Sequence, residues 1–148
     1  MTDHVAHAET EISASPQQVW DAMTDPEAIS TFMFGSKVET DWEEGSPITW
    51  SGEWEGKPYQ DKGEVLEFKP EKELAYSHWS PLSGADDAPD NYHVVHVALD
   101  DATGGGTKVT LEQSNLNGGV TDADRKSRGE YEKNWSNTLK GLKKVVEA

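Results

Sequence analysis

Residues 15–29, SPQQVWDAMTDPEAI, contain two helix-start signals ten residues apart, and they decide how the fold begins. In the first signal Ser15 can cap a free backbone N–H, a proline suits the first helical position, and Gln18 completes a capping box. In the second signal Asp25 is the cap, and Pro26 biases that residue away from helical geometry. The chain must therefore end one short helix and begin another. Neither helix is stable alone at this length, so both need a surface to pack on.

The flanking sequence supplies that surface as β-strands. Alternation from about Val5 to Ser13 predicts a strand before the helices, and beyond the helices apolar residues recur at every second position. Ile48 and Trp50, for example, share one face of a strand. The breaks are short and rich in glycine, proline and acidic residues, which is typical of an antiparallel meander. The predicted strands of this meander are 36–42, 47–54, 59–68, 73–79, 92–100 and 106–115.

One long helix is predicted to close the chain over residues 122–146, capped by Thr121 or Asp122. Its apolar residues recur at spacings of three and four, which puts them on one face: Tyr131, Trp135, Leu139, Leu142 and Val146. A meander has one apolar face to bury, and only this helix is long enough to cover it. The pattern predicts an α+β fold in which a curved antiparallel sheet wraps around the C-terminal helix. The space between sheet and helix is a natural ligand cavity.

Six short motifs in order extend over residues 12–147. They are SASPQQVWDAMTDPE at 13–27, Gly45 with Ile48–Thr49–Trp50, Gly63–Glu64–Val65–Leu66–Glu67, Leu74–Ala75–Tyr76–Ser77–His78–Trp79, Gly106–Thr107–Lys108–Val109–Thr110–Leu111, and Trp135 with Leu139 and Leu142. Together they resemble the AHSA1-like family, the homologues of the activator of Hsp90 ATPase, within the START-like or Bet v 1-like (SRPBCC) superfamily.

This resemblance implies a helix-grip fold, with two short helices between the first two strands. It implies one domain over residues 1–148, in which residues 1–4 are a frayed tail. The superfamily's usual implication is binding of a hydrophobic or aromatic small molecule. The sequence departs from the family at Asn134, where a glycine often precedes the tryptophan of the last helix. The asparagine adds bulk near the interface between helix and sheet.

Composition excludes several classes of function. The net charge of −15 disfavours nucleic acid and anionic membranes as partners. The chain has no cysteine, which excludes disulfides, thiolate metal sites and cysteine nucleophiles. No apolar run approaches the roughly 18 residues of a membrane span, and no signal peptide is recognisable. We therefore expect a monomeric cytoplasmic protein, and the acidic surface leaves a basic protein partner as an open alternative.

Nine residues are predicted to line the cavity and contact the ligand, and the alternative for each aromatic residue is that it is simply part of the core. They are Phe32, Phe34, Trp50, Trp54, Tyr76, His78, Val95, Trp135 and Leu139.

Few residues indicate chemistry beyond binding. Tyr76 and His78 share a strand face and can form an acid–base pair, with Tyr92 as a third group. The alternative is that His78 is simply a buried histidine with a hydrogen-bond partner. His93 and His96 are three apart on a strand and point to opposite faces. No carboxylate near them has suitable spacing, so we expect no metal site. The sequence also contains no G-x-S-x-G motif, phosphate loop or dinucleotide fingerprint, so we expect no cofactor and assign no catalytic residue.

Non-catalytic binding of a small hydrophobic or aromatic molecule is therefore the leading hypothesis. The alternatives are an enzyme similar to polyketide cyclases or hydratases, and a chaperone-associated protein-interaction module. Alternate turns of a meander lie at the same end, which groups those near 55–58, 80–91 and 116–121 at the predicted mouth. The loop at 80–91 is long and rich in Gly, Pro and Asp, so it is either a lid or a surface loop.

Overall fold

The computed structural model describes residues 5–33, 35–80, 86–88, 91–102 and 104–147. The predicted tail at 1–4, Phe34 and most of the 80–91 loop lie outside these ranges. The elements within them, in chain order, are β1 (Ala6–Ile12), α1 (Pro16–Met23), α2 (Pro26–Phe32), β2 (Lys37–Thr40), β3 (Pro47–Trp54), β4 (Lys57–Lys69), β5 (Glu73–His78), β6 (His93–Asp101), β7 (Thr107–Asn115) and α3 (Asp122–Glu147).

Both short helices form where the double start signal predicts them. The Gln18 N–H donates to Ser15 Oγ at 3.3 Å, and the Ser15 N–H donates to Gln18 Oε1 at 3.0 Å, which completes the capping box. At the second start the Glu27 N–H donates to Asp25 Oδ1 at 3.2 Å. Each helix buries one face in the core, with Val19, Trp20 and Met23 from α1 and Ala28, Ile29 and Phe32 from α2.

The seven strands form one antiparallel sheet in the order β1-β7-β6-β5-β4-β3-β2, which confirms the meander. Two bounds of the meander strands differ from the sequence prediction by two residues, for backbone reasons, and its other bounds agree to within one residue. Strand β2 ends at Thr40 because Trp42 takes a left-handed φ of 57°. Strand β4 begins early, at Lys57, because Glu55 and Gly56 both have positive φ, as a two-residue hairpin turn requires.

Strand β4 contains a β-bulge that the sequence pattern did not predict. Val65 pairs with Tyr76, but Glu67 pairs with Ala75, so one extra residue is inserted between the two pairs. The extra residue reverses the alternation of inward- and outward-facing side chains along β4. Val65 faces the core, Glu67 is turned to the outer face of the sheet, and Phe68 is turned back towards the core, where its ring lies 5.2 Å from that of Trp20.

Helix α3 packs along β1, α1 and α2. Thr121 is its cap, because the Asp124 N–H donates to Thr121 Oγ1 at 3.1 Å and the Thr121 N–H donates to Asp124 Oδ2 at 2.9 Å. Leu139 and Leu142 are buried on the face that the periodicity predicted. Sheet, long helix and paired short helices confirm the helix-grip architecture. Among the described residues, no helix is both long and apolar enough to cross a membrane.

Candidate functional site

The polarity of the inner sheet face changes along the strands. Residues paired directly across strands share a face, so the register defines three rows over β5, β6 and β7. The rows are Leu74–Val97–Leu111, then Tyr76–Val95–Gln113, then His78–His93–Asn115. We call the first row the closed end and the third row the open end. The face therefore changes from apolar to polar within a few residues.

At the closed end the space between sheet and helices is almost filled. The remaining cavity measures about 50 Å³ and is lined almost entirely by apolar and aromatic side chains, among them Phe32, Trp50, Tyr76 and Leu139. Since one water needs roughly 10–15 Å³ on this measure, the cavity has room for only a few waters. The same four residues belong to the buried hydrophobic core. This end of the fold is principally a packed core.

At the open end a cavity of about 390 Å³ is partly open to solvent. Its size lies within the roughly 300–1,000 Å³ range of small-molecule sites. It lies at the end where the 80–91 loop connects β5 to β6, which is the end predicted to hold the mouth. Its walls come from both sheet and helix: Met33, His78, His93, Val95, Gln113, Tyr131, Asn134, Trp135 and Thr138.

The predicted site residues are divided between these two spaces. Four of them, Phe32, Trp50, Tyr76 and Leu139, line the small cavity, whereas His78 and Val95 line the large one. Trp135 lines both and stands between them. Phe34 and the side chain of Trp54 lie outside the described residues.

Several residues that line the large cavity were not predicted from the sequence. Gln113 continues the alternation of Val109 and Leu111, and Tyr131 lies one turn before Trp135 on the same helical face. Both signals were present in the sequence. Met33, Asn134 and Thr138 complete the missed set.

A hydrogen bond between α3 and the sheet fixes the partition between the two cavities. The indole Nε1–H of Trp135 donates to Gln113 Oε1 at 2.7 Å. Gln113 is only 4% exposed, so this bond is shielded from water. The bond holds the Trp135 ring over the Tyr76–Val95–Gln113 row, where the ring separates the closed end from the open end.

His78 forms a hydrogen bond with a partly buried carboxylate. His78 Nε2 and Asp61 Oδ2 are 2.8 Å apart, and the Trp50 ring lies 5.1 Å from the imidazole and 5.0 Å from the Tyr76 ring. The second oxygen, Asp61 Oδ1, is buried and has no hydrogen-bond partner among the described residues. A carboxylate in this position orients an imidazole and supports proton transfer by it.

His93 faces the same cavity in a different electrostatic setting. Burial lowers the pKa of His93, the nearby His78 lowers it further, and Asp124 opposes both effects. Its Nε2 is 4.0 Å from Asp124 Oδ1, and its ring meets the edge of Tyr131 at 6.0 Å between centroids. A neutral imidazole can donate and accept hydrogen bonds, which suits a polar group on a ligand.

Asp124 joins this end of the sheet to the start of α3. Besides its bonds with Thr121, it accepts a hydrogen bond from Asn115 Nδ2 at 2.8 Å. Burial acts to raise the pKa of Asp124, but the hydrogen bonds from Thr121 and Asn115 outweigh it and His93 adds to them, so the pKa is lowered.

The two tyrosines considered for chemistry do not act together. Burial raises the pKa of Tyr76 well above its ordinary value, so the phenol stays neutral. Tyr92 lies elsewhere: its hydroxyl donates to Asp87 Oδ1 at 2.6 Å, and its ring stacks on Trp79 at 6.4 Å. Burial and then Asp87 raise the pKa of Tyr92 to about 12. Tyr92 therefore does not join Tyr76 and His78 in the cavity, which corrects the sequence-based expectation.

The chain matches one protein family and is similar to several proteins of known structure. The family described as "Activator of Hsp90 ATPase homolog 1-like protein" matches residues 13–147. The solution structure of ChR145 from Cytophaga hutchinsonii is 43% identical, with 96% of this chain and 92% of that chain covered and a TM-score of 0.74. The crystal structure of MLL2253 from Mesorhizobium loti is 25% identical, with 95% of both chains covered and a TM-score of 0.74.

A more distant likeness concerns the fold alone. Ara h 8.0201 is 11% identical, with 95% of both chains covered and a TM-score of 0.68. No curated protein matches the sequence. The family match covers most of the chain, and the structural neighbours have the Bet v 1-like fold. The chain therefore belongs to the AHSA1-like family, and its fold is Bet v 1-like.

Proposed function

We propose that the protein binds a small aromatic or apolar molecule, without catalysis, in the open-end cavity between the sheet and α3. The single observation that supports this most is the roughly 390 Å³ cavity with mixed walls. Val95, Met33 and Trp135 offer apolar contact, which favours binding by roughly 25 cal/mol per Å² of apolar surface buried. His78, His93 and Gln113 add a few polar groups that can fix the orientation of a ligand.

The charges around the cavity narrow the ligand class. Asp61 and Asp124 stand behind the two imidazoles, and the whole chain carries −15. This negative potential would oppose the entry of an anionic head group, but it would not oppose a neutral phenol, alcohol or ketone. The ligand we favour has an aromatic body against Val95 and Trp135 and a neutral polar group towards His78 and His93. We therefore expect phenolic and ketone-bearing aromatic molecules to bind more tightly than fatty acids.

The proposal is tested by titrating isotope-labelled protein with β-naphthol, β-naphthoate, a flavonoid and dodecanoate and recording amide shifts. We expect β-naphthol and the flavonoid to shift the signals of Val95, Gln113 and the Trp135 indole. β-Naphthoate should bind roughly tenfold more weakly, a difference of about 1.4 kcal/mol. No shift at these three residues with any compound contradicts the proposal.

Helix α3 offers a matched pair of variants for this test. Asn134 and Asn137 are both exposed, but only Asn134 lines the cavity. Asn134→Trp should obstruct the mouth and weaken β-naphthol binding, whereas Asn137→Trp should leave it unchanged. Equal effects of the two substitutions would place the binding elsewhere on the protein.

A second candidate function is acid–base catalysis on a polyketide-like substrate, as in the cyclase hypothesis. The observation in its favour is the 2.8 Å Asp61–His78 pair beside the cavity. It predicts that a bound substrate is converted, which mass spectrometry of the incubated panel would detect. His78→Gln should then abolish conversion while binding persists. Binding without conversion across the panel supports the non-catalytic proposal.

The remaining expectations belong to this proposal as well. A cytoplasmic, monomeric, single-domain protein over residues 1–148 is the setting in which such a binder would act. A chaperone or another basic partner on the acidic surface remains an alternative, and its pull-down would be lost at high salt.

A further inference from the structure

We propose that Glu67, Glu73 and His96 form a binding site for a divalent transition-metal cation, such as zinc, on the outer face of the sheet. The site lies across β4, β5 and β6, on the face opposite to the ligand cavity. It is independent of the proposed function, and the sequence pattern did not predict it.

The strand register brings the three residues together around one small side chain. Glu67 pairs with Ala75 from one side, and His96 pairs with Ala75 from the other. Glu73 precedes Ala75 by two residues and therefore shares its face. Ala75 is only 4% exposed although it lies on the outer face. An alanine at this centre leaves room above it for three longer side chains to converge.

The bulge in β4 makes this convergence possible. Without the extra residue, Glu67 would share the face of Val65, which points into the core. The register shift between Val65 and Glu67 turns the carboxylate outward to His96. Bulges commonly re-aim a side chain in this way.

The distances are close to those of a tetrahedral zinc site. His96 Nε2 lies 3.4 Å from Glu73 Oε1 and 3.9 Å from Glu67 Oε2, and the three residues each offer one ligand atom within 4.8 Å of the other two. Bonds of roughly 2.0–2.2 Å to zinc place tetrahedral ligand atoms about 3.4 Å apart. One pair already has this separation, and the exposed Glu67 side chain can close the others by rotation. A water would complete the four ligands.

The charge around the three residues also favours a cation. The Lys69 ammonium lies 3.3 Å from Glu73 Oε2, the oxygen other than the one nearest His96. This contact shows that the Glu73 carboxylate already attracts one positive charge. Lys69 competes with a metal ion for that carboxylate, so its removal should strengthen metal binding.

A second histidine with two carboxylate neighbours provides a matched control. His7 Nε2 lies 3.4 Å from Glu9 Oε2, whereas its other nitrogen, Nδ1, lies 3.8 Å from Glu112 Oε1. The two carboxylates face opposite sides of the ring. One ion cannot take one nitrogen and both carboxylates there, so His7 lacks the geometry that His96 has.

The experiment is calorimetric titration of the metal-free full chain with Zn²⁺, with the imidazole nitrogens followed by NMR. We expect one site, with the largest nitrogen shift at His96 Nε2. His96→Gln and Glu67→Gln should each weaken binding by about tenfold or more, and Lys69→Gln should tighten it. His7→Gln should leave the affinity unchanged.

The contrary outcomes are equally specific. Absence of binding, or a zinc affinity that falls with His7→Gln and persists with His96→Gln, would overturn the proposal. All four substitutions replace partly exposed side chains, and circular dichroism checks that each variant is folded. Binding of β-naphthol in the cavity is measured separately, so failure of the metal site leaves the proposed function unaffected.

Discussion

The closed and open ends of the inner sheet face follow the same alternation of side chains but border cavities of very different size. They are separated by four residues along each strand, which is roughly 14 Å. Leu74, Val97 and Leu111 border a cavity of about 50 Å³, whereas His78 and His93 border one of about 390 Å³. One sheet face can therefore be packed core at one end and the wall of an open cavity at the other.

Contacts from the helices explain why the two ends differ. At the closed end α2 packs directly against the backbone of α3: a Cβ added at Gly141 would lie 3.1 Å from Phe32 Cβ. At the open end α3 is held to the sheet by polar groups, through Asp124 and through the Trp135–Gln113 bond. Close backbone approach fills the first end, and polar attachment leaves space at the second.

The largest expected effect is loss of stability when the closed end is emptied. Phe32 is 7% exposed, and Phe32→Ala should cost about 3–5 kcal/mol of unfolding free energy, measured by chemical denaturation. The control is Tyr131→Ala at the open end, where the half-buried ring should cost much less. Comparable losses for the two substitutions would show that the open end is core as well.

A smaller effect is expected where the open end is attached to α3. Asp124→Ala removes the partner of Thr121 and Asn115 and should cost about 1–2 kcal/mol of unfolding free energy. Asp122→Ala is the comparison, because the Asp122 side chain is 93% exposed and pairs only with Arg125 in the described structure. It should change stability by less than about 0.5 kcal/mol. If Asp124→Ala leaves the unfolding free energy unchanged, other contacts hold the start of α3 to the open end of the sheet.

Substitutions at two glycines of α3 allow the packing at the open and closed ends to be compared within one helix. A Cβ added at Gly129 meets nothing within 4 Å, so Gly129→Ala should raise the unfolding free energy by about 1 kcal/mol. Gly141→Ala brings the same helix propensity but also the Phe32 contact, so its gain should be smaller or reversed. If Gly141→Ala stabilises as much as Gly129→Ala, the closed end is looser than the structure shows.

The smallest expected effect is a pH dependence at the open end. The pKa of His93 in the folded state is lowered from 6.5, so the unfolded chain binds the proton more tightly. The stability contribution of His93 is therefore full above about pH 6.5 and is lost as the pH falls through the lowered folded value. Denaturation midpoints from about pH 8 to about pH 5 should fall less steeply for His93→Gln than for wild type. A parallel decline would assign the pH dependence to other groups.

Local signals made much of this fold predictable. Ser15, Gln18 and Asp25 act within a few residues of themselves, so their caps could be identified directly. The periodicity of α3 and the turns of the meander are similarly local. The structure also confirms that His93 and His96 lie on opposite sheet faces, because alternation depends on the strand alone.

The unpredicted features depend on contacts between distant segments. How completely Phe32 and Trp50 fill the closed end depends on how near α2 comes to α3. The bulge before Glu67 is set by pairing with β5, so no spacing along the chain indicated that Glu67 approaches His96. The sequence-based expectation of no metal site considered only carboxylates near the histidines in sequence, whereas the two glutamates come from neighbouring strands.

The most direct test of the account is to locate β-naphthol bound to the protein by nuclear Overhauser contacts between ligand and side-chain protons. We predict contacts from the ring to the Val95 methyl groups and the Tyr131 ring, with the hydroxyl-bearing edge towards His78 and His93. Contacts to the methyl groups of Val97 and Leu111, with the hydroxyl directed into the closed end, would contradict the assignment of core and binding surface.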